Sequence, residues 1–273
     1  MWNKVKELIA RRELIIRLAL KDLRVQYRRP LLGFLWAFFM PLATIIIFQI
    51  VFSKILRVPV GEYPFFIYLM TAIFPWRFFQ AGISRSTTSI LDSRNLIREA
   101  SFPRELIPIS IIVAELINFI PSLFIMLIFL VCFKINFSFL IFYLPLVIFL
   151  HTFLILGISL IVASLQVKFR DIRYVVEIVL LGLFYLTPVF YPISLVAQSF
   201  NQLFLKIYLA NPLVGILNLY RIILLKGFSD TLPSQVNIFN SLVVPIIWSF
   251  CLFFLGFYIF KKREKHFSDY LLI

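Results

Sequence analysis

The stretch FLIFYLPLVIFLHTFLILGISLIVASL, residues 139–165, contains no aspartate, glutamate, lysine or arginine. About 20 apolar residues allow an α-helix to cross the hydrocarbon core of a membrane, and backbone groups in lipid must be satisfied internally. The whole chain has the same character, with 62% hydrophobic and 15% charged residues. The composition therefore predicts an all-α membrane protein. It excludes a soluble enzyme, a secreted disulfide-rich domain and a disordered protein.

Five further apolar stretches have a similar length, so the sequence predicts six transmembrane helices. In chain order the spans occupy about 34–53, 64–84, 106–132, 139–165, 174–194 and 238–260. They define a transmembrane domain over 31–262, preceded by an arm of residues 1–30 and followed by a tail of residues 263–273.

Basic residues are distributed unevenly between the segments outside the spans. Twenty of the 27 lysines and arginines lie in the arm, in the loops after spans two and four, and in the tail, whereas the three other loops hold six. Because cytoplasmic loops carry an excess of Lys and Arg, both termini are predicted to be cytoplasmic. The same bias explains the net charge of +14, so no nucleic-acid partner is expected.

The arm 1–30 is predicted to be an amphipathic helix at the cytoplasmic membrane interface. At 100° per residue, the apolar face includes Ile15, Ile16, Ala19, Leu20 and Leu23, whereas Arg17 and Lys21 lie on the opposite side. This pattern is typical of a helix that lies on membrane lipid. The alternative is a helix packed on another protein domain. No cleavable signal peptide is expected, because a basic arm precedes the first apolar run.

Residues 195–237, between spans five and six, are predicted to carry short external helices. The apolar piece Leu213–Leu225 is too short to cross a membrane and contains Arg221, which favours re-entrant or interfacial helices. Pro188 and Pro192 are expected to break the outer end of span five.

The sequence contains no pattern typical of an active site. It has no phosphate-binding glycine loop and no serine elbow, and its two histidines lack the spacing of metal ligands. We therefore expect no catalytic, cofactor-binding or metal-binding residue in this chain.

Four polar side chains in the spans have two possible interpretations, since a charge in the middle of a bilayer is costly. They are Arg77, Glu115, His151 and Glu177. One interpretation is a polar path or an interhelical pair. The other is that Arg77 and Glu177 extend to the membrane surface from the ends of their spans, while His151 bonds a neighbouring carbonyl.

Several motifs, in order along the chain, resemble those of type-2 ABC exporter permeases. These are LALKDLRVQYRRPLLGFLW (18–36) closed by Pro41, FPWRFF (74–79), LI (96–97) leading to FPRELIP (102–108), and TPVFYP (187–192) with NP (211–212) and Arg221 beyond. More narrowly, they resemble the subfamily that exports O-antigens, teichoic acids and capsular polysaccharides. Pro30 departs from the serine common in that family.

The resemblance implies a homodimer with its path along the two-fold axis, in the bacterial cytoplasmic membrane. A separate cytoplasmic ABC ATPase dimer would bind ATP and Mg²⁺, and the substrate would be a lipid-linked glycan among membrane lipids. The loop 85–105 resembles the coupling helix that contacts the ATPase, with the serine–threonine run 86–89 as possible N-caps. Its candidate contacts are Ile90, Leu91, Arg94, Leu96 and Arg98. The alternative is a solvated loop helix without a partner.

Two further groups of residues are candidates for substrate contact. For the substrate headgroup at the membrane interface they are Arg24, Tyr27, Arg28 and Arg29; for the translocation path they are Trp36, Arg77, Tyr185, Phe190, Tyr191 and Arg221. The function implied is export of a lipid-linked polysaccharide. The alternatives are a type-2 permease for another amphiphile or drug, and an integral-membrane sugar transferase.

Overall fold

The computed structural model describes residues 11–27, 36–58, 63–99, 102–136, 138–234, 236, 238–267 and 270, without the side chains of 36–38, 41 and 238. Within these ranges every regular element is helical, which confirms the predicted all-α class. The α-helices are α1 (Arg12–Tyr27), α2 (Trp36–Phe48), α3 (Phe65–Asp92), α4 (Arg94–Glu99), α5 (Leu106–Cys132), α6 (Leu144–Lys168), α7 (Ile172–Leu186), α8 (Ile193–Ser199), α9 (Gln202–Leu209), α10 (Pro212–Leu224) and α11 (Ile238–Glu264). A π-helical segment, Gln49–Ile55, continues α2, and 3₁₀ turns precede α6 (Phe139–Tyr143) and follow α10 (Phe228–Thr231).

Three helices of the described chain are long and apolar enough to cross a membrane. They are α5, α6 with its preceding 3₁₀ turn, and α11, and they agree with the third, fourth and sixth predicted spans. The pair α9–α10 meets the same criterion as one unit, although its two helices are bent by 78°.

The other three predicted spans, 34–53, 64–84 and 174–194, remain predictions. Helix α7 has 15 residues, and at 1.5 Å per residue it is shorter than a hydrocarbon core of about 30 Å. As expected from Pro188 and Pro192, this helix ends early, at Leu186. Helix α3 is longer, with 28 residues, but it contains Arg77 and Arg85. It continues to Asp92, eight residues beyond the predicted end of its span.

Helix α3 forms the centre of the hydrophobic core. From Ile67 to Phe79 every residue except Arg77 is buried, because the helix packs against α5, α6 and α10. Helices α6 and α11 approach closely at two glycines: a Cβ at Gly157 would lie 2.4 Å from the backbone carbon of Leu252, and one at Gly256 2.3 Å from the Gly157 oxygen. Small residues permit such close approach between membrane helices.

Helix α1 packs along α5 and divides the apolar face predicted from the sequence. Ala19 is buried against the neighbouring helices, whereas Ile16 and Leu20 on the same predicted stripe are exposed. The helix is therefore partly covered by the protein itself. Its location at the membrane interface remains a prediction.

The chain after α7 folds into a corner and three helices, α8, α9 and α10. Asn211 caps α10, its side-chain oxygen accepting a hydrogen bond from the Leu213 amide at 3.0 Å. Every residue from Leu213 to Leu224 is buried. The segment 195–237 thus contributes to the core, and its assignment as re-entrant or interfacial remains a prediction.

Candidate functional site

A groove of about 350 Å³ lies between α2, α3 and α7, and it combines aromatic and charged side chains. Its lining consists of Thr44, Phe48, Ile73, Trp76, Arg77, Gln80, Glu177, Leu180, Leu181 and Phe184. Helix α3 contributes positions 73, 76, 77 and 80, and α7 contributes 177, 180, 181 and 184. This spacing places each set on a single helix face.

Trp76 and Phe184 form an aromatic wall of this groove. Their ring centroids are 5.4 Å apart, and Phe48 lies 5.9 Å from Phe184 on the other side. These separations are typical of favourable aromatic pairs. Trp76 is buried, so that its ring is held firmly, whereas Phe184 is partly exposed.

Arg77, Gln80 and Glu177 supply the polar side chains of the groove. Arg77 and Glu177 are both exposed, and no ion pair joins these two residues. The groove therefore offers a donor and an acceptor to a ligand, beside an aromatic wall. Pockets that bind small molecules commonly combine apolar walls with a few polar groups in this way.

Phe190 extends the aromatic wall toward the corner at 187–192. Its ring centroid lies 5.7 Å from Phe184, 5.8 Å from Tyr185 and 5.1 Å from Tyr191. The structure thus brings three path candidates, Phe190, Tyr185 and Tyr191, next to the groove. Phe190 is buried, while Tyr185 is 56% exposed. A fourth candidate, Trp36, has its side chain outside the described residues.

Arg221 lies behind this corner, in the protein interior. The side chain is fully buried, its guanidinium carbon is 3.7 Å from the centroid of the Tyr68 ring, and Nη2 donates to the Val189 carbonyl at 3.0 Å. Tyr68 in turn donates to the Tyr191 carbonyl at 2.8 Å. In this chain Arg221 therefore stabilises the corner from within, and it does not reach the groove surface.

A network of charged and polar side chains connects α1 with α3 and α5. Arg85 on α3 forms ion pairs with Asp22 on α1 and Glu115 on α5. Arg85 also donates to Gln26 at 3.1 Å, and Tyr27 donates to Asn118 at 3.1 Å. Glu115 is therefore half of an interhelical pair, one of the two interpretations that the sequence allowed.

The sequence analysis did not predict Asp22 and Arg85 as partners. Helical spacing could have indicated Asp22: it follows Ile15 by seven residues, so it lies on the apolar face of α1, where a carboxylate needs a partner. Among the headgroup candidates, Arg24 is exposed, whereas the Tyr27 hydroxyl points into the network, where burial and the nearby Glu115 raise its pKa. Arg28 and Arg29 lie outside the described residues.

His151 is the remaining polar residue singled out within the spans. It is buried between the rings of Phe78 and Phe79. Its Nδ1 lies 3.4 Å from the Tyr220 hydroxyl, so its partner is a side chain where a backbone carbonyl was expected. It lines no part of the groove.

Helix α4 presents part of the predicted coupling surface. Arg94 and Arg98 are exposed, Leu91 and Leu96 are partly exposed, and Ile90 is fully buried. Ile90 belongs to a core cluster with residues that include Ile107, Leu160 and Phe260, so it supports the loop from inside. The possible N-caps at 86–89 are wrong, because these residues lie inside α3, where the Thr87 hydroxyl donates to the Ile83 carbonyl.

Comparisons with known proteins agree on one kind of protein. The ABC-2 type transporter family matches residues 13–225. The O-antigen export system permease protein RfbA of Myxococcus xanthus is 28% identical over 270 residues, covering 98% of this chain and 99% of the relative. A protein of the same name from Klebsiella pneumoniae is 26% identical, covering 95% of both chains. The polysialic acid transport protein KpsM of Escherichia coli is 24% identical, covering 91% of this chain and 92% of the relative.

Proposed function

Because this chain belongs to the ABC-2 type transporter family, we propose that it is the permease subunit of an exporter for a lipid-linked polysaccharide. The relatives are named for O-antigen export and for polysialic acid transport, which supports a polysaccharide as the substrate. The proposal covers a glycan of the O-antigen, teichoic-acid or capsule type. The family match also confirms the resemblance that the motifs indicated.

The groove between α2, α3 and α7 is the observation that carries this proposal. A polysaccharide presents hydroxyl groups and apolar sugar faces. Phe184, backed by the buried ring of Trp76, offers a flat surface that contacts sugar faces without fixed hydrogen bonds. Arg77, Gln80 and Glu177 exchange hydrogen bonds with the sugar hydroxyls. A chain can move past such a lining because no single sugar is held by a rigid set of partners.

The membrane topology belongs to the same proposal. In addition to α5, α6 and α11, three helices would cross the membrane: α2 with its π-helical continuation, α3 and α7. Helices α8–α10 would then lie on the outer side, and both termini would lie in the cytoplasm. The basic loops support this orientation in the cytoplasmic membrane of a bacterium. Two copies would then enclose a path between their grooves.

Energy for transport would come from a separate cytoplasmic ATPase dimer that binds ATP and Mg²⁺. Helix α4, with Arg94 and Arg98 on its exposed side, is the proposed docking element for that ATPase. Reversal of both charges, Arg94→Glu with Arg98→Glu, should weaken co-purification of the ATPase or uncouple hydrolysis from export. The new glutamates would repel the acidic groups of the ATPase that the two arginines are proposed to contact. Wild-type co-purification and wild-type export in this variant would contradict the assignment.

The function itself is tested by deletion and complementation in the bacterium that encodes the chain. A deletion strain should retain a glycan on its lipid carrier in the cytoplasm, and the wild-type gene should restore export. Retention of another amphiphile or of a drug would favour a type-2 permease for that compound. Formation of a glycan product by the purified chain without any ATPase would favour a sugar transferase.

Variants of the groove then test the proposed path. Phe184→Leu keeps an apolar side chain but removes the flat ring, and it should lower the export rate roughly two- to tenfold. Ile178→Ala is the matched control, since Ile178 is on the same helix, 70% exposed and not part of the groove. Equal export by both variants and wild type would place the path elsewhere.

A further inference from the structure

A second cavity, of about 550 Å³, lies between the C-terminal ends of α6 and α11. It is separate from the groove at α7, with which it shares no residue. Helix α6 contributes Leu165 and Lys168, and α11 contributes Ile259 and Lys262. Both helices are apolar enough to cross a membrane, so that the cavity is at the level where their apolar segments meet the polar surface.

The walls of this cavity change character along the helix axes. Ile259 and Leu165 form the part nearer the middle of the helices, and Lys168 and Lys262 follow one turn later on the same faces. The side chains at i and i+3 or i+4 lie above one another on a helix. The cavity therefore has apolar sides at its deeper end and ammonium groups at its mouth.

Further basic and aromatic side chains complete the mouth. Arg263 and His266 add two more nitrogen-bearing groups, and Tyr270 adds a ring with a hydroxyl, whereas Tyr258 lies beside Ile259 at the deeper end. Tyrosine is enriched at the membrane–water interface because its ring is apolar and its hydroxyl is polar.

The positive charge at this mouth is not neutralised by the carboxylates that the structure describes. Lys168, Lys262 and Arg263 take part in none of the ion pairs among the described residues. The nearest acid in sequence, Glu264, is occupied by other groups: it accepts from Lys261 Nζ at 2.8 Å and from the Arg104 amide at 3.1 Å.

We propose that this cavity binds the phosphate headgroup of an anionic phospholipid of the cytoplasmic leaflet. The phosphate would lie between Lys168 and Lys262, with the acyl chains along Leu165 and Ile259. Basic pockets between membrane helices on the cytoplasmic side suit anionic headgroups for this reason. The site does not depend on which substrate is exported, and it rests on the proposed orientation of the chain.

Lipid binding to the permease purified with its ATPase tests this site. Dioctanoyl phosphatidylglycerol is titrated in a neutral detergent, with dioctanoyl phosphatidylcholine as the zwitterionic comparison, and bound lipid is counted by native mass spectrometry. Wild type should prefer phosphatidylglycerol. In the double variant Lys168→Gln with Lys262→Gln, the apparent Kd for phosphatidylglycerol should rise roughly thirtyfold and that for phosphatidylcholine should not change.

The matched control is Arg170→Gln with Lys265→Gln, which removes two exposed basic residues that do not line the cavity. This variant should keep its affinity within about twofold of wild type; an equal loss in both variants would overturn the site in favour of general surface charge. Displacement of the lipid by an equal concentration of inorganic pyrophosphate would also overturn it, since the ligand would then be a free anion. Absence of bound phosphatidylglycerol from the assembled complex would show that the ATPase covers the cavity and would refute the proposal.

A photoreactive phosphatidylglycerol provides a measurement that needs no variant. Crosslinks on the wild-type protein should map to the segments 161–168 and 258–267. Crosslinks confined to other helices would refute the site even if the variants were to fold poorly.

Discussion

Arg85→Gln should release α1 from the helices on which it packs. Arg85 is the common partner of Asp22 and Glu115, and the side-chain exposures of these three residues are 28%, 25% and 7%. Removal of the guanidinium leaves Glu115 buried without its counter-ion and places a second carboxylate, that of Asp22, nearby. The variant therefore combines loss of attraction with repulsion between two acids.

The size of the effect follows from these exposures. Removing one partner of a buried ion pair costs about 3–5 kcal/mol. Because Arg85 and Asp22 are about a quarter exposed, solvent screens part of the interaction, and we expect about 3 kcal/mol. Glu115→Gln should cost about 2 kcal/mol because Arg85 retains Asp22, and Asp22→Asn about 1 kcal/mol because this acid is the more exposed one.

Thiol labelling measures the release of α1 directly. In a background without Cys132 and Cys251, the variant Leu23→Cys places a partly buried thiol on α1. If the thiol reacts only when α1 detaches, a loss of about 3 kcal/mol raises the labelling rate roughly a hundredfold. The three charge variants should then follow the order Arg85→Gln, Glu115→Gln, Asp22→Asn.

A triple apolar variant separates loss of the network from disturbance of packing. Asp22→Leu, Arg85→Met and Glu115→Leu together remove all three charges while they retain side-chain volume, and labelling at position 23 should return to within about tenfold of wild type. A labelling rate in Arg85→Gln within threefold of wild type would refute the reasoning, since α1 would then be held by apolar contacts alone.

Three other expectations can be checked on the same purified protein. Gly157→Leu should prevent folding, because its Cβ would lie 2.4 Å from the α11 backbone, whereas Gly182→Ala, with nothing within 4 Å, should retain the wild-type melting temperature in detergent. Tyr185→Cys should react with an impermeant thiol reagent faster than Tyr191→Cys, since Tyr185 is the more exposed of the two; equal rates would contradict the described corner. Arg221→Lys should lower the melting temperature by several degrees, because a lysine cannot both lie flat on a ring and reach the Val189 carbonyl.

Composition was sufficient to predict the helical class and the three most apolar spans, because hydropathy measures the cost of leaving a segment in water. Composition predicts where a helix ends less accurately than it predicts that the helix exists. The apolar run of span five continues to residue 194, yet α7 ends at Leu186, since proline removes the backbone donors that the helix needs. The predicted span two ends at residue 84 because polar residues follow, although α3 continues to Asp92.

The polar network around Arg85 shows a second limit of prediction from hydropathy. Asp22, Arg85 and Glu115 are far apart in sequence, and each was assigned to a different region of the chain. Hydropathy treats each charge as a separate cost, so it cannot reveal that one arginine pairs with two carboxylates. Only the packing of α5 against both α1 and α3 brings these side chains together.

Arg77 and Arg221 illustrate how packing decides the role of a polar residue in an apolar helix. Both interrupt apolar runs, and both were candidates for the path on equal grounds. Helix α10 is buried on all sides, so Arg221 had to find its partners, Tyr68 and the Val189 carbonyl, inside the protein. On α3 Arg77 is the one residue between Ile67 and Phe79 that is exposed, and it lies on the face that meets the groove. The exposed Arg77 keeps its hydrogen-bonding capacity for a ligand, whereas the buried Arg221 can contact only groups of the protein itself. For this permease we therefore expect substitutions of Arg77 to change transport with little effect on stability, and substitutions of Arg221 to change stability first.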